Sequence, residues 1–330
     1  MRTLDACSSV LAPVIASYLT LKRALGRQYD AERRVLEHVD RFLAARAADL
    51  APETFAGWSI TQQHLASGTR RARMRVVRNL CLYRRRREPS CFVPDARLFP
   101  PRHQVIRPHV FTDADVARLL RAADALPATP ASPLRPEAFR LAIVILYTTG
   151  LRRGELVRLT VGDYEPRERT LLIRESKFHK SRIVPLSLDG ACEIDRYLAI
   201  RRRQGLPHAA DSPLLCTGLQ GRKPYSGGGF QHAVRALLRV AQVRTEAGRL
   251  PRVHDFRHGF AVQALLRWYR TGADVQAKLP LLATYMGHVS IVSTEYYLRF
   301  LEPLAASASE RFAHHCGALV TPPPSRGGAQ

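Results

Sequence analysis

Lysine is scarce in this chain of 330 residues, although the chain is strongly basic. Five of its 51 basic residues are lysines, and arginine supplies most of the net charge of +23 that remains after 28 acidic residues. A GC-rich genome raises arginine content without any function, but arginine also binds phosphate through paired hydrogen bonds. So large an excess favours a polyanionic partner, with nucleic acid ahead of a membrane surface.

The sequence also lacks the signatures of several protein classes. Its six cysteines form no C-x-x-C pair, so neither a zinc site nor a disulfide framework is indicated. The N-terminus has no signal-peptide pattern, and no apolar run is long enough to span a membrane. We therefore expect a cytoplasmic protein with a real core, whose length suits two domains or one large one.

The N-terminal part is predicted to be helical. Residues 11–47 have the periodicity of two amphipathic helices. Residues 70–87 contain nine arginines and no acid, and their apolar residues recur at helical spacing: Met74, Val77, Leu80 and Cys81. A solvated basic face is the simpler interpretation. However, like charges at this density repel one another unless a polyanion neutralises them, which favours contact of Arg71, Arg75 and Arg78 with a DNA backbone.

Prolines divide the chain after this basic segment. Residues 89–110 hold five prolines and no helical period, so they are predicted to be a linker and domain boundary. Thr112 is the expected N-cap of the next helix. We predict domains at 1–108 and 109–319, followed by a disordered tail at 320–330.

Two segments of the second domain carry candidate phosphate and proton chemistry. TTGLRRGEL places Arg152 at a helix-to-helix turn, where an arginine fork beside free N–H groups can bind phosphate, and Glu155 lies within reach to orient it. The runs 170–174 and 182–186 predict a hairpin whose connection contains Lys177 and Lys180. Either ammonium can donate a proton. A surface arginine and two solvated turn lysines are the simpler interpretations.

The last motifs lie on predicted helices further along. After helices at about 188–204 and 230–241, separated by a loop that includes a flexible GGG at 227–229, HDFRHGFA places His254 and Arg257 on one helix face. A Gly-His turn at His288 precedes adjacent tyrosines, and Tyr297 follows His288 by nine residues. Such a tyrosine is either a nucleophile or, more often, a packed aromatic.

The order of these residues resembles the tyrosine recombinase (phage integrase) family over about 110–300. TTGLRRGEL is similar to its first arginine box, SKFHKSRIVPL to its lysine hairpin, HDFRHGFA to its His-x-x-Arg box, and MGHVSIVSTEYYL to its Gly-His…Tyr box. Phe178 and His179 stand where members often have Gly and a small polar residue, so Lys180 remains an alternative to Lys177. The long stretch GADVQAKLPLLATYMGH before the Gly-His box suggests a transposon- or island-borne subgroup.

The resemblance implies a mainly α fold with a small β-hairpin sheet, made of a helical core-binding domain and a tyrosine-recombinase-type catalytic domain. It implies site-specific DNA recombination through a 3′-phosphotyrosyl intermediate, without metal or cofactor. The implied catalytic residues are Arg152, Lys177, His254, Arg257, His288 and Tyr297. Glu155 would support them, and the expected DNA contacts are Arg71, Arg75, Arg78, Lys180 and Arg182.

The expected partner is duplex DNA with inverted-repeat core sites, bound by a homotetramer on paired sites, with accessory recombination proteins as further candidates. Residues 301–319 are expected to form a helix that docks either on a neighbouring protomer or on its own domain. The alternatives are a non-catalytic DNA-binding regulator with the same fold, a type IB topoisomerase-like nicking enzyme, and an RNA-binding protein explained by charge alone.

Overall fold

The computed structural model describes residues 7–27, 29–101, 107–174, 181–218, 221–288 and Thr294. The chain divides into two compact units, Met1–Ile106 and Arg107–Gln330. Helices dominate both units, and the strands form two small antiparallel sheets, which confirms the predicted fold class. Of the helices in the described ranges, none has the length and apolar character needed to cross a membrane.

The first unit is a small helical bundle. Its helices are α1 (Ala12–Ala24), α2 (Asp30–Ala44), α3 (Pro52–Ile60) and α4 (Ser67–Arg84). The buried stripe predicted for the basic segment is confirmed, since Met74, Val77, Leu80 and Cys81 lie in the core of this unit. The two amphipathic helices expected within 11–47 are likewise present as α1 and α2.

The described part of the proline-rich segment that directly follows α4 packs on this first unit. Phe99 is buried, and its ring lies 6.1 Å from that of Phe55. Nη1 of Arg71 donates to the carbonyl oxygen of Pro100 at 2.8 Å, and Arg78 donates to the carbonyl of Pro94. The prolines exclude a continuous α-helix. The segment forms a short 3-10 helix at Ala96–Leu98, and the aromatic residues between the prolines supply apolar surface that packs on the bundle.

The second unit is organised around a buried helix. Its helices are α5 (Asp113–Asp124), α6 (Arg135–Thr149), α7 (Arg153–Leu156), α8 (Leu188–Arg203), α9 (Gly227–Val240), α10 (Val253–Arg270) and α11 (Val275–Met286). α6 is apolar on nearly every face and packs against α5, α8 and α10. Thr112 caps α5 as predicted: its Oγ1 accepts from the Asp115 N–H at 3.1 Å, and the Asp115 carboxylate accepts from the Thr112 N–H.

The hairpin is present at the predicted place. Strands β1 (Tyr164–Glu165), β2 (Thr170–Ile173) and β3 (Arg182–Pro185) form an antiparallel sheet in that order, with Leu171 opposite Val184 and Ile173 opposite Arg182. Strands β4 (Cys216–Thr217) and β5 (Lys223–Pro224) form the second sheet. The hairpin tip, residues 175–180 with Lys177 and Lys180, lies outside the described residues.

The three glycines at 227–229 are not a loop, which corrects the sequence-based expectation. They form the first turn of α9. Ser226 is the N-cap, and its Oγ accepts from the Gly229 N–H at 3.0 Å. A side-chain cap and the buried Phe230 in the following turn hold the helix start in place, and this outweighs the low helix propensity of glycine.

Candidate active site

Three arginines converge on the C-terminal end of α11. Gly287 ends this helix in the left-handed conformation, with φ of 64°, and the last carbonyl groups of a helix lack intrahelical partners. The carbonyls of Tyr285, Met286 and Gly287 accept hydrogen bonds from Arg182 Nε at 2.8 Å, Arg257 Nη2 at 2.5 Å and Arg152 Nη2 at 2.9 Å, respectively. Cations at the negative end of a helix dipole are stabilising.

Arg152 is the N-cap residue of α7 and is held by Glu155. Its backbone N–H donates to Glu155 Oε2 at 3.0 Å, and its Nη1 donates to Oε1 at 2.7 Å. The Glu155 side chain is 1% exposed, whereas that of Arg152 is 25% exposed. Glu155 therefore lies within reach of Arg152, and Arg152 keeps a solvent-facing side.

Arg257 lies deeper, on the first turns of α10. It is 1% exposed, and its Nη1 donates to the carbonyl oxygen of Gly150 at 2.9 Å. Gly150 has a φ of 61°, and a Cβ there would come within 2.7 Å of the Phe260 ring. Glycine thus both ends α6 and lets α10 approach closely enough for Arg257 to reach the Gly150 and Met286 carbonyls.

The histidines of the site are held neutral. Burial lowers the pKa of His254, and the nearby Arg257 and Arg252 charges lower it further. Burial, followed by the charges of Arg257, Arg152 and Arg182, brings the pKa of His288 down to about 4. Nδ1 of His288 lies 2.8 Å from the hydroxyl of the fully buried Thr294.

A further histidine, His258, lies beside His254. Their ring centroids are 4.5 Å apart at an interplanar angle of 83°. Burial and then the neighbouring His254 lower the pKa of His258 to about 4. The sequence analysis missed both His258 and Thr294. The signal for His258 was its position directly after Arg257, and the signal for Thr294 was its position six residues after His288.

Arg182, one of the expected DNA contacts, is largely enclosed in the structure. Its side chain is 10% exposed, and its Nη1 and Nη2 donate to the two carboxylate oxygens of Glu155 at 3.1 and 2.9 Å. A side chain so enclosed offers little surface to a DNA backbone. The alternation of β3 carried a signal for this, because Arg182 shares a face with the buried Val184.

The structure thus brings five of the predicted site residues together with Arg182: Arg152, Glu155, His254, Arg257 and His288. Lys177, Lys180, Tyr296 and Tyr297 lie outside the described residues, as does the predicted helix at 301–319. Arg71, Arg75 and Arg78 belong to the first unit. Across the described ranges, His, Cys, Asp and Glu side chains form no group suited to a metal ion. Guanidinium groups beside neutral imidazoles can bind phosphate oxygens and transfer protons.

Comparison with known proteins shows which protein family this chain is similar to. The model of the phage integrase family matches residues 109–302. The integrase/recombinase y4rB of Sinorhizobium fredii is 31% identical over 306 residues, which are 92% of this chain and 97% of that protein. The tyrosine recombinase XerD of Brucella abortus is 32% identical over 213 residues, or 63% of this chain and 64% of XerD.

Solved structures share the fold. XerH site-specific recombinase, bound to its palindromic difH substrate, superposes with a TM-score of 0.62 at 19% identity, covering 84% of this chain and 78% of that one. The Tn1549 transposon integrase in complex with transposon right end DNA gives a TM-score of 0.61 at 17% identity, covering 91% and 98%.

Proposed function

The chain belongs to the phage integrase family of tyrosine recombinases, and we propose that it exchanges DNA strands at specific sites through Tyr297. The observation that carries this proposal is the attachment of Arg152 and Arg257 to the consecutive carbonyls of Gly287 and Met286. Two guanidinium groups fixed by the same turn can clamp one phosphate, and donors fixed in advance stabilise charge as it builds in a transition state.

The reaction exchanges one phosphodiester for another. The phenol oxygen of Tyr297 attacks the scissile phosphorus, a 3′-phosphotyrosyl bond forms, and the bond from phosphorus to the 5′-oxygen breaks. Lys177 gives its proton to the departing 5′-oxygen. His254 and His288 are both neutral: His288 hydrogen-bonds a phosphate oxygen, and His254 accepts the phenol proton. A 5′-hydroxyl from the second DNA then reverses these bonds, so the phosphodiester energy is retained and the chemistry calls for neither metal nor ATP.

The two arginines differ in how DNA would reach them. Arg152 is 25% exposed and can meet a phosphate directly, whereas Arg257 is 1% exposed. Contact between Arg257 and DNA therefore requires a rearrangement of the residues that cover it. Activity thus depends on a DNA-induced step that uncovers Arg257, in keeping with assembly of the site on its substrate.

The proposed DNA substrate and assembly follow from the proposed strand exchange. Solved structures that share the fold include an integrase in complex with transposon DNA and a recombinase bound to a palindromic site. We place this chain on duplex DNA with inverted-repeat core sites, as a homotetramer that pairs two sites and works with accessory recombination proteins. The first unit supplies backbone contacts through α4, and we expect the protein to act in the cytoplasm.

A suicide-substrate assay tests this function. Short inverted repeats beside the gene are built into duplexes nicked one or two bases from the candidate cleavage position. Cleavage then releases a short fragment that carries the free 5′-hydroxyl, and its loss traps the covalent adduct. Peptide mapping of the adduct is expected to find phosphotyrosine at Tyr297. Tyr297→Phe should bind DNA and form no adduct, whereas the adjacent Tyr296→Phe should form it.

The result has clear alternatives. Phosphotyrosine at Tyr296 overturns the choice of nucleophile. Tight binding without an adduct on any repeat indicates a DNA-binding regulator. Relaxation of supercoiled DNA by a monomer without paired sites indicates a nicking enzyme of the type IB topoisomerase kind.

A further inference from the structure

We propose that Arg182, at the start of β3, is a positioning residue that holds Arg152 in place through Glu155 and the end of α11. This inference rests on the proposed function, because the residue it positions is one of the two phosphate-binding arginines. Arg182 would touch neither the DNA nor the reacting atoms.

The first contact that carries the inference is a carboxylate held between two arginines. Glu155 Oε1 accepts from Arg152 Nη1 at 2.7 Å and from Arg182 Nη1 at 3.1 Å, while Oε2 accepts from the Arg152 N–H and from Arg182 Nη2. Arg182 therefore fixes the orientation of the carboxylate plane. That plane in turn fixes both the backbone and the guanidinium of Arg152.

The second contact is with the turn that receives Arg152. Nε of Arg182 donates to the Tyr285 carbonyl at 2.8 Å, one position before the Met286 carbonyl that Arg257 holds and two before that of Gly287. A Cβ on Gly287 would lie 2.9 Å from Arg182 Nη1. The guanidinium thus packs directly against the Gly287 backbone, which any other residue would push away.

A third contact ties the same strand and helix together. The Tyr285 hydroxyl donates to the Pro185 carbonyl at 3.3 Å, and the Tyr285 ring is stacked on Phe260 of α10 at 5.3 Å. Arg182 and Tyr285 therefore join β3 to α11 at both ends of the strand. Because β3 also supports the hairpin that carries Lys177 in the sequence, Arg182 connects the strand that leads to the proposed acid with the arginine pair.

Arg174, on the same hairpin, gives a matched comparison. It also pairs with a buried carboxylate, Asp163, at 2.5 Å, but its own side chain is 62% exposed against 10% for Arg182. The two arginines separate the effect of losing an ion pair to a buried acid from the effect of losing the bridge to Arg152. Among the residues that the structure describes, Arg174 bonds to Asp163 and forms no hydrogen bond or ion pair with α7 or α11, so it serves as the control.

The charges around Glu155 predict how the bridge between Arg182 and Glu155 depends on pH. Burial by itself would raise the pKa of Glu155, but hydrogen bonds from Arg182 and from the Arg152 N–H outweigh burial and hold the pKa at about 2. Arg158, Asp163 and Arg174 line the same cavity of about 450 Å³ as Glu155. Without Arg182, the buried carboxylate would keep Arg152 as its hydrogen-bonding cation, and its pKa would rise.

The experiment compares Arg182→Met, Arg182→Lys and the control Arg174→Met in the full chain. Three quantities are measured: the rate constant of adduct formation at saturating suicide DNA, the slope of DNA affinity against salt, and the acid limb of the pH–rate profile. Arg182→Met should slow adduct formation by about ten- to a hundredfold, the scale expected for a misplaced catalytic group. Its salt slope should stay unchanged, because a residue without phosphate contact releases no counterions, and its acid limb should move to higher pH.

Arg182→Lys keeps the charge and serves if the methionine variant folds poorly. It should stay slow, since an ammonium cannot bridge a carboxylate through two parallel bonds, while Arg174→Met stays near the wild-type rate. A lysine variant with the wild-type rate overturns the proposal, and so does a salt slope that falls by about one, which marks a direct phosphate contact.

Acid unfolding separates this inference from the proposed function. If the wild-type chain forms no adduct, the function fails, yet the Arg182–Glu155 bridge still predicts a result. The folded-state pKa of Glu155 is about 2, below the ordinary value of 4.5. Ionised Glu155 therefore stabilises the fold fully above about pH 4.5, and this stability is lost as pH falls toward about 2. Arg182→Lys should lose that stability at a higher pH than the wild type, and identical acid-unfolding curves overturn the bridge.

Discussion

The hydroxyl of Thr294 lies 2.8 Å from Nδ1 of His288. A neutral imidazole carries one N–H, and the hydrogen bond made by one ring nitrogen decides where that proton sits. Burial, followed by the positive charges of Arg257, Arg152 and Arg182, lowers the pKa of His288 and keeps the ring neutral. If Thr294 donates to Nδ1, the proton stays on Nε2, which can then donate to a phosphate oxygen.

Thr294→Val should therefore slow adduct formation and leave DNA affinity unchanged. Valine preserves the shape of the buried threonine and removes its hydroxyl, so the expected loss is about five- to tenfold, the scale of one hydrogen bond of about 1 kcal/mol. Thr294→Ser, which keeps the hydroxyl, is the control. Nitrogen NMR of the His288 ring reports the tautomer, and an unchanged Nε2–H tautomer in the valine variant would contradict this role.

The neutral histidines also predict how stability depends on pH. The pKa values of His258 and His288 are about 4, below the ordinary value of 6.5. Between these values the unfolded chain binds protons that the folded chain does not, so the free energy of unfolding should fall as pH drops from about 6.5 to about 4. Each such proton contributes a slope of up to about 1.4 kcal/mol per pH unit.

Urea unfolding of wild type and His258→Gln between pH 4.5 and 7.5 measures this dependence. The variant should lose part of the slope. Equal slopes for wild type and His258→Gln would mean that His258 titrates normally in the folded chain.

Local sequence signals predicted the ends of helices correctly where the residue responsible lies at the helix end itself. Thr112 capped a helix, and Gly150 ended one, as their residue types require. The glycines at 227–229 were misread because the cap that outweighs their low helix propensity, Ser226, is a single residue with no repeating pattern. Isolated signals of this kind are decided by tertiary packing rather than by propensity.

The arginines of the basic helix α4 have different expected roles, which the sequence alone could not distinguish. Arg71 and Arg78 donate to carbonyls of the proline-rich segment, whereas Arg75 is exposed. Arg75→Gln should lower the slope of DNA affinity against salt by about one, because it releases fewer counterions. Arg71→Gln should instead lower the free energy of unfolding and change the slope less.

Salt titrations of DNA binding and urea unfolding of both variants separate the two effects. The reverse outcome, a slope changed by Arg71→Gln and not by Arg75→Gln, would mean that Arg71 leaves the Pro100 carbonyl when DNA binds. An unchanged slope in the combined Arg71, Arg75 and Arg78 variant would remove this helix from the DNA interface.

The candidate site could be predicted only as a list of residues, since its geometry depends on long-range contacts. Arg152 and Gly287 are 135 residues apart, and Arg182 and Tyr285 are 103 apart. No local pattern reports which carbonyl a distant arginine will cap. The expectation that Arg182 contacts DNA took no account of its alternation with Val184, which predicts an inward-facing side chain.

Lys177 and Lys180 give the last prediction, which concerns the leaving group. A departing 5′-alkoxide needs a proton, and an ammonium in the hairpin can supply it. Lys177→Ala should slow adduct formation on an ordinary duplex far more than it weakens binding, and Lys180→Ala should have a smaller effect.

A substrate with sulfur in place of the bridging 5′-oxygen separates general-acid catalysis from positioning. A thiolate leaves without protonation because its conjugate acid is much stronger than an alcohol. The variant that has lost the acid should therefore recover on the sulfur substrate, whereas a variant that has lost a DNA contact should stay slow on both. Recovery of Lys177→Ala alone assigns the acid to Lys177. Recovery of Lys180→Ala alone would assign it to Lys180 and shift the hairpin's lysine box by three residues.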